Sequence, residues 1–253
     1  MLKKIIVLVV LSLSIFSCKN ELKNANVIVG KSIEVSGGDI ISSSKIDFDF
    51  RDKHYRAFRN NGKFVLEREF NDTSNQYFDT ITRVKDAINN RGFQRFINDF
   101  PMAVSDSMAL NYSASVNSVH YFSVLPYGLE AKAVKKSLLG KTNIKGKDYY
   151  KIKVTFSEDG GGEDFEDIFI YWIDTETFKA DYLAYSFEEN HGLGLRFREA
   201  YNERYIEGIR FVDYNNYSPK DEKVPLETLD ILFKKNQLKL LSKIELDNVM
   251  VNP

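Results

Sequence analysis

The sequence predicts an α+β fold: a large curved antiparallel sheet (a half-open β-barrel), a central helix packed on its concave side, and helices near both termini. Three observations carry this reading. Apolar and polar residues alternate with period two over most of the chain, the mark of half-buried strands. One internal stretch breaks that rhythm with spacings of three and four, the mark of an amphipathic helix. The composition agrees: 19 Phe and 14 Tyr stand against one Trp, and Phe and Tyr favour strands. Five prolines among 253 residues and no low-complexity tract leave little room for a long linker.

Taken in order, residues 26–37 read as a first helix, ended by Gly37-Gly38 as a C-terminal cap. Ile46, Phe48 and Phe50 then alternate with Lys45, Asp47, Asp49 and Arg51. Asn61-Gly62 is a hairpin signal joining residues 54–60 to 63–70. In that second strand Phe64, Leu66, Arg68 and Phe70 share one face. Ser105 and Asp106 offer an N-cap to a central helix whose Met108, Tyr112, Val116, Val119 and Phe122 recur at helical spacing. Pro126 and Gly128 end it, and a short helix is expected at residues 130–136.

The second half is the clearest. Lys145-Gly146 turns into a strand with Tyr150, Ile152, Val154 and Phe156 on one face. Phe165 to Ile173 is apolar on both faces, so something packs on each side. Residues 178–189, 193–202 and 209–217 continue a meander, with Glu207-Gly208 as one turn. A helix near 226–235 carries acids early and lysines late, as the helix dipole prefers. A last strand spans about 238–249. Consecutive strands linked by tight turns lie side by side, and a large twisted sheet curls, so a helix can fill its hollow.

The N-terminus reads as an export signal: Lys3 and Lys4, an apolar run from Ile5 to Phe16, then Ser17 and Cys18. The run is about 12 residues, short of the roughly 20 needed to cross a bilayer. Ile15-Phe16-Ser17-Cys18 resembles the bacterial lipobox, in which the cysteine is lipidated and becomes the first mature residue. Cys18 is the only cysteine, which excludes a disulfide framework. The expected organisation is a signal peptide at 1–18, a polar tether at 19–26 and a single domain at 27–253. The whole chain has 35 basic and 36 acidic residues. Removing residues 1–18 takes away two lysines and no acid. No basic block suits phosphate backbones, so nucleic acid is not an expected partner.

The stretch Ser32-Ile-Glu-Val-Ser-Gly-Gly-Asp39 resembles a family of Bacteroidota lipoproteins of unknown function. So do Phe169-Ile-Tyr-Trp-Ile-Asp-Thr-Glu-Thr-Phe-Lys179, Asp181-Tyr-Leu-Ala-Tyr185 and Gly208-Ile-Arg-Phe-Val212. That family is remotely similar to the carriers and receptors of outer-membrane lipoprotein sorting (Lol-type), which hold acyl chains in a curved antiparallel sheet closed by helices. The resemblance implies binding of an apolar ligand and an outer-membrane location; it implies no catalytic residues.

No motif names a reaction. There is no G-x-S-x-G elbow, P-loop or dinucleotide fingerprint. The acidic loop of Glu158, Asp159, Glu163, Asp164, Glu166 and Asp167 surrounds three glycines but does not follow the EF-hand order. His54, His120 and His191 have no zinc spacing. No metal or cofactor is therefore expected. The expected lining of a ligand cavity is Tyr112, Val116, His120 and Phe122 from the central helix, with Trp172, Arg196 and Arg198 from the sheet. Arg196 and Arg198 share a strand face and suit an anionic head group. The leading expectation is a membrane-anchored, non-enzymatic lipoprotein that binds a lipid or other apolar molecule in the hollow of the sheet. The alternatives are a structural component docking a protein partner and, lowest, a hydrolase of envelope glycans or lipids.

Overall fold

The computed structural model describes residues 23–73, 81–159, 166–189, 192–221 and 223–253. Cys18, His191, the three glycines and Glu163 and Asp164 lie outside them. Among the described residues no helix is long and apolar enough to cross a membrane.

The α+β expectation holds. Among the described residues fourteen antiparallel strands form two seven-stranded sheets, neither closed on itself. The first sheet runs β14-β1-β2-β3-β4-β5-β6 and the second β13-β12-β11-β10-β9-β8-β7. In the first, β1 (Lys45–Phe50), β2 (Lys53–Asn60), β3 (Lys63–Asp72), β4 (Thr82–Asn89), β5 (Gly92–Ile97) and β6 (Phe100–Met102) follow one another. The meander continues in the second sheet through β7 (Val134–Ile144), β8 (Lys147–Phe156), β9 (Ile168–Asp174), β10 (Ala180–Glu189), β11 (Gly192–Ile206) and β12 (Ile209–Pro219).

The expected strand at 238–249 is two strands, β13 (Leu238–Ile244) and β14 (Asp247–Asn252), one at the edge of each sheet. The break lies at Leu246, whose backbone bonds to side chains instead of a neighbouring strand. Its N–H donates to Asp213 Oδ1 at 3.1 Å, and Arg204 Nη2 donates to its carbonyl at 2.6 Å. With the ladder interrupted, the ribbon leaves one sheet and enters the other.

The short helix expected at 130–136 is not formed. Residues 124–133 are turns, and β7 starts at Val134. From Val134 onward side chains alternate between half-buried and exposed, and pairing with β8 overrides local helix propensity. Strands β4 to β6 were not anticipated from the sequence.

Among the described residues four α-helices cover the sheets: α1 (Ala25–Val35), α2 (Gly38–Ile41), α3 (Asp106–Ser123) and α4 (Leu229–Lys234). Asn24 caps α1 through its side chain. Gly37 follows in the left-handed region (φ 82°), and a Cβ there would lie 2.5 Å from the carbonyl oxygen of Gly208. Glycine is therefore required where the α1–α2 corner meets the β11–β12 hairpin, and Arg210 N donates to Ser36 O across that contact at 3.2 Å.

The sheets differ in how they are covered. The first has one apolar face, with Ile46, Phe48, Tyr55, Ala57 and Leu66 packed against α2 and α3. The other carries charge, including Asp47 paired with Arg56 at 2.7 Å. The second sheet is apolar on both faces, as β9 predicts. Phe169, Tyr171 and Ile173 join α1 in one core. Ile170 and Trp172 join Phe197, Leu226 and Leu229 in another, beneath α4. Lys151 pairs with the buried Asp230 at 2.9 Å and ties α4 down.

A row of buried charges fixes α3. Arg68, Asp86 and Arg95 are register partners across β3, β4 and β5. Asp86 has no exposure and takes Arg68 Nη2 and Arg95 Nε, each at 2.6 Å. Arg68 Nη1 donates to Ser115 Oγ of α3 at 2.6 Å. The Arg95 guanidinium lies 3.6 Å from the ring centroid of Tyr112, also on α3. Asp86→Ala leaves two cations facing each other without their acid. It should lower stability by about 3–5 kcal/mol, read as a fall in the urea midpoint with little change in slope.

Candidate functional site: a cavity between the central helix and the second sheet

The carboxyl-terminal half of α3 works on two faces. Val116, Val119 and His120 point at the first sheet. Tyr121 and Phe122 point at the second, where they pack against Phe169. Each face has helical spacing, so one helix serves both sheets.

Between the second face and the sheet lies a cavity of about 720 Å³, within the range of small-molecule sites. Ser115, Ser118 and Phe122 of α3 form one side, and Phe169, Tyr185, Arg198, Val212 and Tyr214 form the other. Ser242, Ile244 and Leu246, at the crossing from β13 to β14, close it laterally, with Phe50 of β1. The lining runs from exposed Arg51, Asn117 and Glu166 to buried Phe169, Arg198 and Tyr214. Aromatic rings dominate the depth: Phe169 stacks on Tyr185 at 5.4 Å, and Phe122 meets Tyr185 at 5.2 Å. Tyr121 also lines the cavity, and its hydroxyl lies 3.4 Å from that of Tyr171. Burial pushes the Tyr121 phenol up to about 12 and Tyr171 well above its ordinary value, so both are neutral.

Of the seven residues expected to line the cavity, the structure brings two together there. The Arg198 guanidinium lies 3.9 Å from the ring centroid of Phe122. Trp172 faces the opposite way, fully buried against Phe197 beneath α4. Alternation along β9 explains this, since both faces of that strand are apolar and composition does not say which is hollow. Arg196 shares the face of Arg198 but lies over Phe187 at 4.8 Å, outside the lining. Tyr112 covers Arg95 near the other end of α3. Val116 is buried in the first sheet's core.

His120 is also turned from the cavity. It is fully buried between Phe48 and Tyr55, and its Nε2 lies 2.9 Å from the Glu67 carbonyl oxygen. Burial holds its pKa down at about 3, so the ring is neutral and buttresses the core.

Sequence reasoning missed Tyr185, Tyr214 and Asn216. The signal was present: Arg198 pairs with Asn216 across β11 and β12, and Tyr214 lies two residues before it on the same face. Strand register, which the sequence does not spell out, was needed to use it.

Residues 3–246 match the model of a family of unknown function, DUF6503. The chain belongs to this family. No curated protein matches it. Among solved structures it is similar to a LolA superfamily protein from Nitrosomonas europaea, with 13% identity and a TM-score of 0.44 over 90% of this chain and 94% of that one. It is similar to a putative outer membrane lipoprotein-sorting protein domain from Vibrio parahaemolyticus, with 11% identity and a TM-score of 0.41 over 76% and 86%. A third is the lipoprotein LppX of Mycobacterium tuberculosis, at 10% identity and a TM-score of 0.26 over 64% and 86%.

The buried imidazole of this family member sets a pH dependence. The unfolded chain takes up a proton on His120 near the ordinary value of 6.5, whereas the folded chain resists until about 3. Acid therefore favours unfolding. Stability is unaffected by this group above about pH 6.5 and falls by up to about 1.4 kcal/mol per pH unit below it. Urea unfolding of His120→Gln should show a shallower decline than the parent between about pH 7 and about pH 4.

Proposed function

We propose that this protein is an envelope lipoprotein, held at a membrane by lipidated Cys18, that binds a lipid or other apolar molecule between α3 and the second sheet. The observation that carries the reading is the cavity itself. It is a space of about 720 Å³ walled by Phe122, Phe156, Phe169, Tyr185 and Phe187. Packed interiors leave few voids larger than a water molecule, and removing apolar surface from water drives an alkyl chain into such a space. Binding requires no catalytic group. The hydrolase reading gains nothing from His120, which faces the other sheet.

The outer membrane is the proposed location, by the family resemblance of the sequence. A lipid-modified Cys18 with two or more chains suffices for stable attachment, since one chain holds only marginally. Cys18→Ala should move the protein from the membrane pellet to the soluble fraction or stall its processing; unchanged partitioning would argue against the anchor.

A second reading, docking of a protein partner, is favoured by exposed apolar side chains on β6 and the first turns of α3. Phe100 is 76% exposed and Leu110 52%.

Native mass spectrometry of the purified protein after exposure to envelope lipid extract should show a bound species. Ile244→Trp, which fills the cavity from β13, should lose that species while folding normally by circular dichroism. Parent protein that stays empty, or a filled variant that binds equally well, rules out this cavity as the site.

A further inference from the structure

The buried part of the cavity wall carries a charge that no acid among the described residues pairs with. Three arginines are buried among the described residues: Arg68, Arg198 and Arg210. Arg68 pairs with Asp86 at 2.6 Å, and Arg210 with Glu203 at 2.5 Å and Asp181 at 3.0 Å. Arg198, 7% exposed, has no such acid among the described residues. Its Nη2 donates to Tyr185 Oη at 2.7 Å, and its Nε has no hydrogen-bond partner. A buried guanidinium without an anion is costly.

The group is nevertheless held in place. Phe122 lies 3.9 Å from it and Tyr185 5.0 Å, each measured to the ring centroid. These aromatic contacts restrain it on the cavity wall, and cation–π attraction offsets part of the desolvation. Asn216 stands beside it in register. Its Nδ2 donates to Ser242 Oγ at 3.2 Å, and its Oδ1 has no partner. Arg198 and Asn216 thus offer a cationic donor and an acceptor side by side, next to Phe122, Phe169, Val212 and Tyr214 of the same lining.

We propose that the ligand is an amphiphile whose head is an oxoanion, a carboxylate or a phosphate, paired with Arg198 while its hydrocarbon chain lies along the aromatic wall. The inference rests on reading the cavity as a ligand site. A guanidinium fork fits either oxoanion and forms charge-assisted hydrogen bonds shorter and stronger than neutral ones. The ligand supplies the counter-charge that the described residues do not. Asn216 Oδ1 accepts a hydrogen bond from a hydroxyl on the same head. The sequence pattern pointed to Arg196 and Arg198 as a pair; the geometry gives the role to Arg198, with Asn216 in place of the second arginine.

The test uses a neutral naphthylamine dye bound to the purified protein and displaced by four probes of equal chain length: palmitate, hexadecyl phosphate, hexadecanol and methyl palmitate. At least one anion should displace the dye roughly tenfold to a hundredfold more effectively than the alcohol, and the stronger anion identifies the head group. Arg198→Met should bring that anion to the level of the alcohol. Arg198→Lys should keep part of the preference. The parent comparison decides even if a variant fails to fold. Anions and alcohol displacing the dye equally from the parent overturns the oxoanion inference and leaves the cavity as an apolar site. No displacement by any probe overturns the cavity reading itself.

Discussion

Asp86, a carboxylate with no exposure, fixes the central helix against the first sheet. It joins Arg68 and Arg95 on the inner face of the first sheet, and those two reach Ser115 and Tyr112 of α3. The helix is therefore bound to one sheet by charge and aromatic stacking along most of its length. Against the other sheet it packs through Tyr121 and Phe122. Fixed on one side, it cannot settle fully onto the second sheet, and the hollow between them persists. Replacing such a network with apolar groups is often neutral for stability. What the charges add is a defined helix position, on which the cavity depends.

The crossing between β13 and β14 is the second constraint. Arg204, Asp213 and Asn202 form a side-chain cluster at the irregularity in β11 and β12, and it takes over the backbone groups of Leu246. The carboxyl-terminal ribbon thereby ends one sheet and begins the other. Leu246 and Ile244 line the cavity at that crossing, so the seam between the sheets is also one of its walls.

Much of this was legible in the sequence, for identifiable reasons. Asn61-Gly62 forms the turn between β2 and β3, as its left-handed preference dictates. The double apolar character of β9 correctly required cover on both sides. The spacing of Val116, Val119 and Phe122 marked α3. Other features needed tertiary information. The break at Leu246 left no trace, because alternation continues through Leu240, Ile244 and Leu246 into the next strand. Residues 130–136 looked helical because Lys and Ala tolerate helix, yet pairing with β8 decided the matter. Of the residues expected around the hollow, Phe122 and Arg198 line the cavity. Trp172 packs beneath α4 and not in the lining, and the sequence does not distinguish the two, because period two gives two equivalent sides and no label for the hollow one.

That placement of Trp172 has a practical side. It is the chain's single tryptophan, fully buried with Phe197 beside it and Lys151 5.3 Å from its ring centroid. Intrinsic indole emission from this molecule is thus a local reporter of how well α4 is seated, with the thickness of a strand layer between the fluorophore and the chamber. Loosening of α4 registers in that signal, whereas the chamber lies on the far side of the strand from the indole.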